Sequence, residues 1–337
     1  MSRRVVVLVV LGFLLVAGAF TAAGTGSSRL GFDEVLTALG NRDALGTPLA
    51  SPADNIVWNV RLPRLILSVL VGLNLAVAGV LLQGIMRNPL ASPGIIGVTA
   101  GAALFATLGM LAVPAMAGLV FLQTLSVPVM AFIGAVLAAG LVYAMSWQPG
   151  LGTSPTRMIL AGVAVTAMVG AAQSFLAVYF ADRIAGVVLW LAGSLSARSW
   201  QHLPLIWPFS IGGLMLAAMI ARPLNLLQMG EDSAQSLGVG VQQTRLIAIL
   251  AAALLTASAV AVAGIVGFVG LVVPHILRYT LSHNHLWLIP GAALGGAALV
   301  CWSDVLARQL GEMPVGVLTA AIGGPYFVFL LYKTRLI

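Results

Sequence analysis

The sequence predicts an all-α polytopic membrane protein with about ten transmembrane helices. Hydrophobic residues make up 60% of the 337-residue chain and charged residues only 7%, whereas a soluble domain carries roughly a quarter charged residues. The mean hydropathy of +1.07 leaves too little polar surface to face water. A transmembrane β-barrel would alternate apolar and polar positions, but the apolar runs here are continuous and about 20 residues long, the length of a membrane-spanning helix.

The candidate spans are the longest apolar runs. They cover residues 5–24, 63–85, 94–113, 119–144, 157–179, 203–220, 244–265, 267–281, 286–306 and 315–332. The first run follows Arg3 and Arg4 and so resembles a signal peptide, but it exceeds the usual apolar core of such peptides, and we interpret it as a retained span. The run from Ile247 to Val273 is long enough for one helix, but its glycines and Pro274 predict a break.

The basic residues are distributed unevenly across this topology. With the N-terminus inside, the cytoplasmic segments hold nine basic residues and two acidic ones, and the outer segments hold seven of each. Because cytoplasmic loops of membrane proteins are enriched in Lys and Arg, the asymmetry predicts an even number of spans with both termini in the cytoplasm.

The chain lacks the residues of an ATPase. Its one lysine is Lys333, and no G-x-x-x-x-G-K-[ST] motif is present, although a P-loop needs that lysine to reach the nucleotide phosphates. We therefore expect no enzymatic activity from this chain; if ATP powers it, a separate subunit binds ATP and Mg. The basic residues are scattered singly, so no nucleic-acid surface is expected. The single Cys301 excludes an intrachain disulfide.

No Asp, Glu, Lys or Arg lies near the centre of any predicted span. A carrier coupled to protons or sodium usually buries such a residue at its ion site, so an ion-coupled secondary carrier is the weaker alternative. The main polar residues within the spans include Asn74 and Gln83. His275, His283 and His285 lie close together in the sequence, but no cysteine or acidic cluster accompanies them, and we expect no metal site.

Several short motifs occur in a fixed order along the chain: RLPR at 61–64, QGIMRNPLASPG at 83–94, WLAGS at 190–194, GEDSA at 230–234, GFVGLVVPH at 267–275 and DVLAR at 304–308. Together they resemble the FecCD-type permease subunits of bacterial ABC importers for iron–siderophores, haem and cobalamin. The resemblance covers residues from about 56 to 333.

This resemblance implies a type II ABC importer permease fold, with residues 1–337 as one transmembrane domain in the bacterial inner membrane. It implies a second permease copy or a close homologue, two cytoplasmic ATPase subunits, a substrate-binding protein or lipoprotein outside, and contact with membrane lipid. No cofactor is expected in this chain. The expected function is translocation of a ferric siderophore; haem or cobalamin is the alternative substrate.

The resemblance also assigns the docking residues. The family's matching arginines meet glutamates on the binding protein, which predicts that Arg61, Arg64 and Arg308 dock the partner. The competing interpretation is contact with lipid headgroups, or a local pair with Asp54 or Asp304.

The resemblance places the ATPase contact in a coupling segment, residues 222–245. Within it the sequence predicts a short helix that stops at a glycine. The predicted contact residues are Gly230, Glu231, Asp232, Ser233, Ala234, Leu237 and Gly238.

The residues after the second span suggest a gate. Pro89 excludes a continuous helix, and Asn88 can satisfy freed backbone groups. A role in gating or in the pathway is predicted for Asn88, Pro89, Gln83 and Asn74; for Asn88 and Pro89, a simple cytoplasmic turn is an equally good interpretation.

Overall fold

The computed structural model describes residues 3–26, 30–41, 51–112, 120–150, 152–180 and 185–334. The helices are α1 (Arg3–Gly24), α2 (Phe32–Gly40), α3 (Pro52–Asn55), α4 (Leu62–Met86), α5 (Val98–Ala112), α6 (Val120–Ser146), α7 (Pro155–Tyr179), α8 (Ala185–Leu191), α9 (Trp207–Met219), α10 (Ala221–Leu227), α11 (Glu231–Ser236), α12 (Val241–Ala263), α13 (Val269–Thr280), α14 (His285–Gln309) and α15 (Val315–Thr334).

Short elements connect these helices. A π-helical turn, Ile56–Arg61, joins α3 to α4, and 3₁₀ turns at Pro93–Ile96 and Trp200–Leu205 precede α5 and α9. Two short strands, β1 (Trp147–Gln148) and β2 (Gly152–Thr153), form an antiparallel hairpin between α6 and α7.

The ten predicted spans each correspond to a helix, which confirms the all-α polytopic fold. In the described part of the chain, seven helices are long and apolar enough to cross a membrane. The apolar parts of α5 and α15 are shorter, Val98–Leu111 and Val315–Phe329, and α13 has 12 residues. Several charges used for the topology, Arg29, Arg42, Asp43, Asp182, Arg183 and Arg335, lie outside the described residues.

Helix α4 lies at the centre of the molecule, and most of its residues are buried. A Cβ added to Gly72 would overlap the carbonyl oxygen of Gly296 on α14, and one added to Gly79 would overlap that of Gly270 on α13. Lipid tails give helices no hydrophobic drive to associate, so close backbone approach at small residues supplies the packing energy. Glycines of α4 thus lie at its closest contacts with α13 and α14.

The predicted break between the seventh and eighth spans is present. Gly264 has a φ of +71° and ends α12, and residues 264–268 are non-helical before α13 begins. The amide of Ser194 donates to the carbonyl of Ala263 at 2.8 Å, and that of Gly316 donates to the carbonyl of Gly193 at 3.0 Å. Unwound backbone within a membrane protein needs such partners. These hydrogen bonds join the end of α12 to residues 193–194, and residues 193–194 to the start of α15.

Candidate functional site

Arg64 forms a buried ion pair in the first turn of α4. Its Nε lies 2.9 and 3.1 Å from the two carboxylate oxygens of Asp304 on α14, and its Nη1 lies 2.7 Å from Glu312 Oε2. Both Arg64 and Asp304 are buried. Paired contacts between a guanidinium and a carboxylate are strong and directional, so this end of α4 is held against α14.

Arg308 and Arg61 complete the group around Arg64 at the end of α1. Arg308 lies one helical turn after Asp304, and its Nε donates to Asp304 Oδ2 at 2.9 Å. Arg308 Nη1 donates to the carbonyl of Ala22 at 2.9 Å, and Arg61 Nη1 donates to that of Ala23. The last carbonyls of a helix have no partner within the helix and carry partial negative charge. In α1, the two arginines satisfy the carbonyls of Ala22 and Ala23.

Glu312 lies at the edge of this group, and its side chain is 49% exposed. Its Oε2 also accepts a hydrogen bond from Ser196 Oγ at 3.0 Å. Partial burial favours the protonated acid, but the hydrogen bonds and positive charge of Arg64 and the hydrogen bond from Ser196 hold the pKa of Glu312 below its usual value. The carboxylate is therefore ionised at neutral pH.

We call Arg61, Arg64, Arg308, Asp304 and Glu312 the arginine cluster. The structure brings the three predicted docking arginines together and gives Arg64 and Arg308 a local partner, Asp304, as the competing interpretation proposed. Asp54 instead belongs to the capping box of α3, where it exchanges hydrogen bonds with Ser51. With three arginines and two acids, the cluster has a net charge of +1. Docking of a binding protein by this cluster stays a prediction.

The other end of α4 lies near α11, the short helix predicted in the coupling segment. Gly230 precedes it with a φ of +113°, and Gly238 follows it with a φ of +81°. The amides of Gly238 and Val239 donate to the carbonyls of Gln235 and Ala234 at 2.9 and 3.0 Å. This pattern of paired bonds closes a helix at a glycine in the left-handed conformation, which confirms the predicted stop.

Glu231 joins α11 to α12 through an ion pair. Its Oε1 pairs with Nη2 of Arg245 on α12, and Nη1 of Arg245 donates to the carbonyl of Thr153 at 2.7 Å. Arg245 is buried, and a buried charge requires a partner of opposite sign. A displacement of α11 would therefore act on α12 directly.

The other residues predicted to contact the ATPase differ in their exposure to solvent. Ala234, within α11, is buried, whereas Asp232, Ser233 and Leu237 are exposed. Leu237, which follows α11, is 59% exposed, and Met229, which precedes it, is 67% exposed. Exposed apolar side chains next to acidic ones at one end of a membrane protein form a surface suited to a protein partner.

The four predicted gating residues do not form one site. Asn74 Nδ2 donates to Ser210 Oγ on α9 and to Ser258 Oγ on α12, at 2.9 and 3.1 Å, within the buried core. Gln83 Nε2 lies 3.4 Å from the carbonyl of Leu271 on α13. Asn88 Oδ1 accepts from the amide of Leu90 and holds the turn at Pro89. Asn74 thus joins three helices, and the other residues lie at the α11 end.

Of the three histidines near α13, His285 lies apart from the other two. His285 Nδ1 lies 2.8 Å from Asn225 Oδ1, while the rings of His275 and His283 both lie beside Tyr279. Among the described residues, no group of three His, Cys, Asp or Glu side chains could hold a metal ion.

The sequence offered Asp304 as a local partner of the docking arginines, but it did not indicate the partners of Arg245 or Asn74. In the sequence Arg245 is only a cytoplasmic charge, whereas in the structure it pairs with Glu231. Nothing in the sequence indicates that Ser210 and Ser258 bind Asn74. The spacing of Asp304 and Arg308, four residues apart on a helix, is the one signal that could have identified an ion pair in advance.

Comparisons with known proteins agree with this architecture. The chain matches the FecCD transport family over residues 14–333. It is 40% identical over 341 residues to the hemin transport system permease protein HmuU of Yersinia pestis, covering 99% of this chain and 98% of that protein. It is also 40% identical over 283 residues to the Fe(3+) dicitrate transport system permease protein FecD of Escherichia coli, covering 83% and 86% of the two chains.

A solved structure shares the fold along nearly the whole chain. An ABC transporter of the metal-chelate type, in an inward-facing conformation, superposes with a TM-score of 0.81 at 32% identity, covering 97% of this chain and 98% of the other. The chain therefore belongs to the FecCD transport family, the multi-pass membrane permease subunits of type II ABC importers for iron chelates, haem or cobalamin.

Proposed function

We propose that this chain forms the membrane pathway of an ATP-driven importer for an iron chelate. The family match over residues 14–333 carries the proposal. Two further features support it: an exposed helix at one end of α4 that suits an ATPase, and a group of arginines at the other end that suits a binding protein. The assembled importer would contain a second permease copy, two ATPase subunits and a substrate-binding protein.

Three substrates are candidates. A ferric siderophore is the substrate expected from the sequence motifs. Haem is supported by the hemin permease of Yersinia pestis, which is 40% identical along almost its full length. A permease of the same family for cobalamin, BtuC of Halobacterium salinarum, is 40% identical over 83% of this chain, so identity alone does not rank the substrates.

The proposal is tested by uptake into proteoliposomes containing the permease, its ATPase and its binding protein. We expect ATP-dependent accumulation of radioactive iron supplied either as hemin or as a ferric siderophore, with cobalamin as the comparison. The chain alone should not hydrolyse ATP, because it lacks a P-loop. It should not accumulate substrate under a proton or sodium gradient either, because no Asp, Glu, Lys or Arg lies near the centre of a predicted span to form an ion site. Gradient-driven uptake by the chain alone would instead establish a secondary carrier.

The surface around α11 is the proposed ATPase contact. It combines the exposed Asp232 of α11 with exposed Leu237 and Met229, and the half-buried Glu231 connects it to α12 through Arg245. Removing Glu231 would leave the buried Arg245 unpaired, so a variant at Glu231 would confuse loss of the contact with loss of the fold. Leu237, which is largely exposed, is the better position for a test.

We expect Leu237→Asp to abolish co-purification of the ATPase and ATP-driven uptake, because it places a charge in an apolar contact. Leu310→Asp is the matched control for co-purification, and it should retain the ATPase, since Leu310 is 56% exposed and follows α14 at the other end of α4. Uptake is compared only between Leu237→Asp and the wild type, because Leu310 lies beside the arginine cluster. Both variants should elute like the wild type on size exclusion. Wild-type ATPase retention and uptake in Leu237→Asp would eliminate this surface as the contact.

The arginine cluster is proposed to lie on the outer face and to attract the binding protein, with both termini of the chain in the cytoplasm. Its surplus positive charge can act at a distance, because complementary charge raises the rate of encounter without requiring direct contact. An effect at a distance is needed because Arg61 and Arg64 are buried in the isolated subunit and so are not exposed to a partner.

Arg61→Gln should slow association with the binding protein by about 2- to 10-fold at low salt, and the difference should shrink as salt screens the charge. Surface-immobilised permease and a salt series measure this rate. Arg157→Gln, which removes an exposed arginine in the first turn of α7, should bind like the wild type. Equal association rates for Arg61→Gln and Arg157→Gln at low salt would contradict the docking assignment.

A further inference from the structure

A cavity of about 290 Å³ lies between the last turn of α4 and helix α13, at the α11 end of the molecule. Its wall is basic and aromatic: Arg87, His275, Arg278, Tyr279 and His283 line it. Among the described residues that line the cavity, none is acidic. A cavity with this lining would favour an anion.

Two of the lining side chains have buried polar atoms that make no hydrogen bond within the described part of the chain. His275 is 7% exposed, and neither of its ring nitrogens makes a hydrogen bond. Arg278 Nε makes only a long contact, 3.4 Å, with Gln83 Oε1, and Arg278 Nη2 is buried without a partner. Leaving buried polar groups unsatisfied costs free energy, which a ligand with several acceptor oxygens would recover.

The positive charge around the cavity is only partly compensated. Glu231 Oε1 lies 3.7 Å from Arg87 Nη2, but the same oxygen also pairs with Arg245, and Arg278 has no ion pair with an acid among the described residues. Arg3 adds a further charge from α1, because its Nη2 donates to the carbonyl of Tyr279 at 3.1 Å. A phosphate group, with its charge and several acceptor oxygens, matches this combination of arginine and imidazole donors.

The surroundings of the cavity indicate where such a phosphate comes from. Tyr279 is 68% exposed, and the residue that contacts its carbonyl, Arg3, begins α1, which exposes much of its apolar surface. Arg4 lies over the ring of Trp287 nearby, 5.9 Å from its centroid. Aromatic and basic residues collect at the level of the lipid headgroups, and basic pockets between membrane helices bind phosphorylated headgroups.

We propose that this cavity is a phosphate-binding site that takes the headgroup of an anionic phospholipid. The proposal does not depend on the transported substrate. Because Gln83, Asn88 and Pro89 also line the cavity, a bound headgroup would brace the turn that follows α4. Free phosphate shares the same chemistry, so the test must separate the two sources.

Native mass spectrometry of the purified full chain measures the binding of phosphatidylglycerol and phosphatidylcholine, and calorimetry measures that of inorganic phosphate. We expect Arg278→Gln to reduce phosphatidylglycerol binding several-fold and Arg278→Lys to retain part of it. Phosphatidylcholine should not distinguish these variants. Arg157→Gln is the matched control because Arg157 is an exposed arginine outside the cavity lining, and it should bind like the wild type.

If Arg278→Gln does not elute as a folded protein, His275→Leu is the second variant, and its loss of phosphatidylglycerol binding is expected for the same reason. Inorganic phosphate that binds and displaces phosphatidylglycerol supports the site and its chemistry. Binding of inorganic phosphate without binding of phosphatidylglycerol overturns the lipid assignment. Equal binding of both ligands by Arg278→Gln, His275→Leu and Arg157→Gln overturns the site.

Discussion

The close approach of α4 to its neighbours is the constraint on which the rest of the structure depends. Gly72 meets the backbone of Gly296 on α14, and Gly79 meets that of Gly270 on α13, with no room for a side chain. Between helices in lipid, packing at small residues replaces the hydrophobic drive available in water. An α-helix rises about 1.5 Å per residue, so α4 is a rod of roughly 37 Å whose packing fixes what lies at each of its ends.

Ion pairs near the two ends of α4 attach neighbouring helices to one another. At one end Arg64 and Asp304 hold α4 to α14; at the other, Glu231 and Arg245 hold α11 to α12, which packs along α4. Both pairs contain a buried arginine, and separating such a pair leaves an uncompensated charge that is strongly destabilising. Helix α11 is thus attached to α12 by an ion pair and α12 packs along α4, which is the arrangement that the proposed coupling to an ATPase requires.

The sequence predicted the elements that depend on local chemistry. The apolar runs located all ten membrane helices, Gly264 marked the break after α12, and Gly238 marked the end of α11. It did not predict pairings between distant segments, such as Arg64 with Glu312 or Asn74 with Ser210 and Ser258. Helical periodicity fixes a residue's face but not the helix it meets, and the uniformly apolar faces here carry little information about neighbours.

The packing of α4 is tested most directly by the thermal stability of Gly72→Ala beside Gly140→Ala in detergent. A methyl group at Gly72 would overlap Gly296, whereas one at Gly140 meets nothing within 4 Å. Overpacking of this kind costs about 1–3 kcal/mol or more, so Gly72→Ala should unfold several degrees below the wild type while Gly140→Ala unfolds at or above it. Equal midpoints for the two variants would contradict the view that backbone contact at α4 holds the structure together.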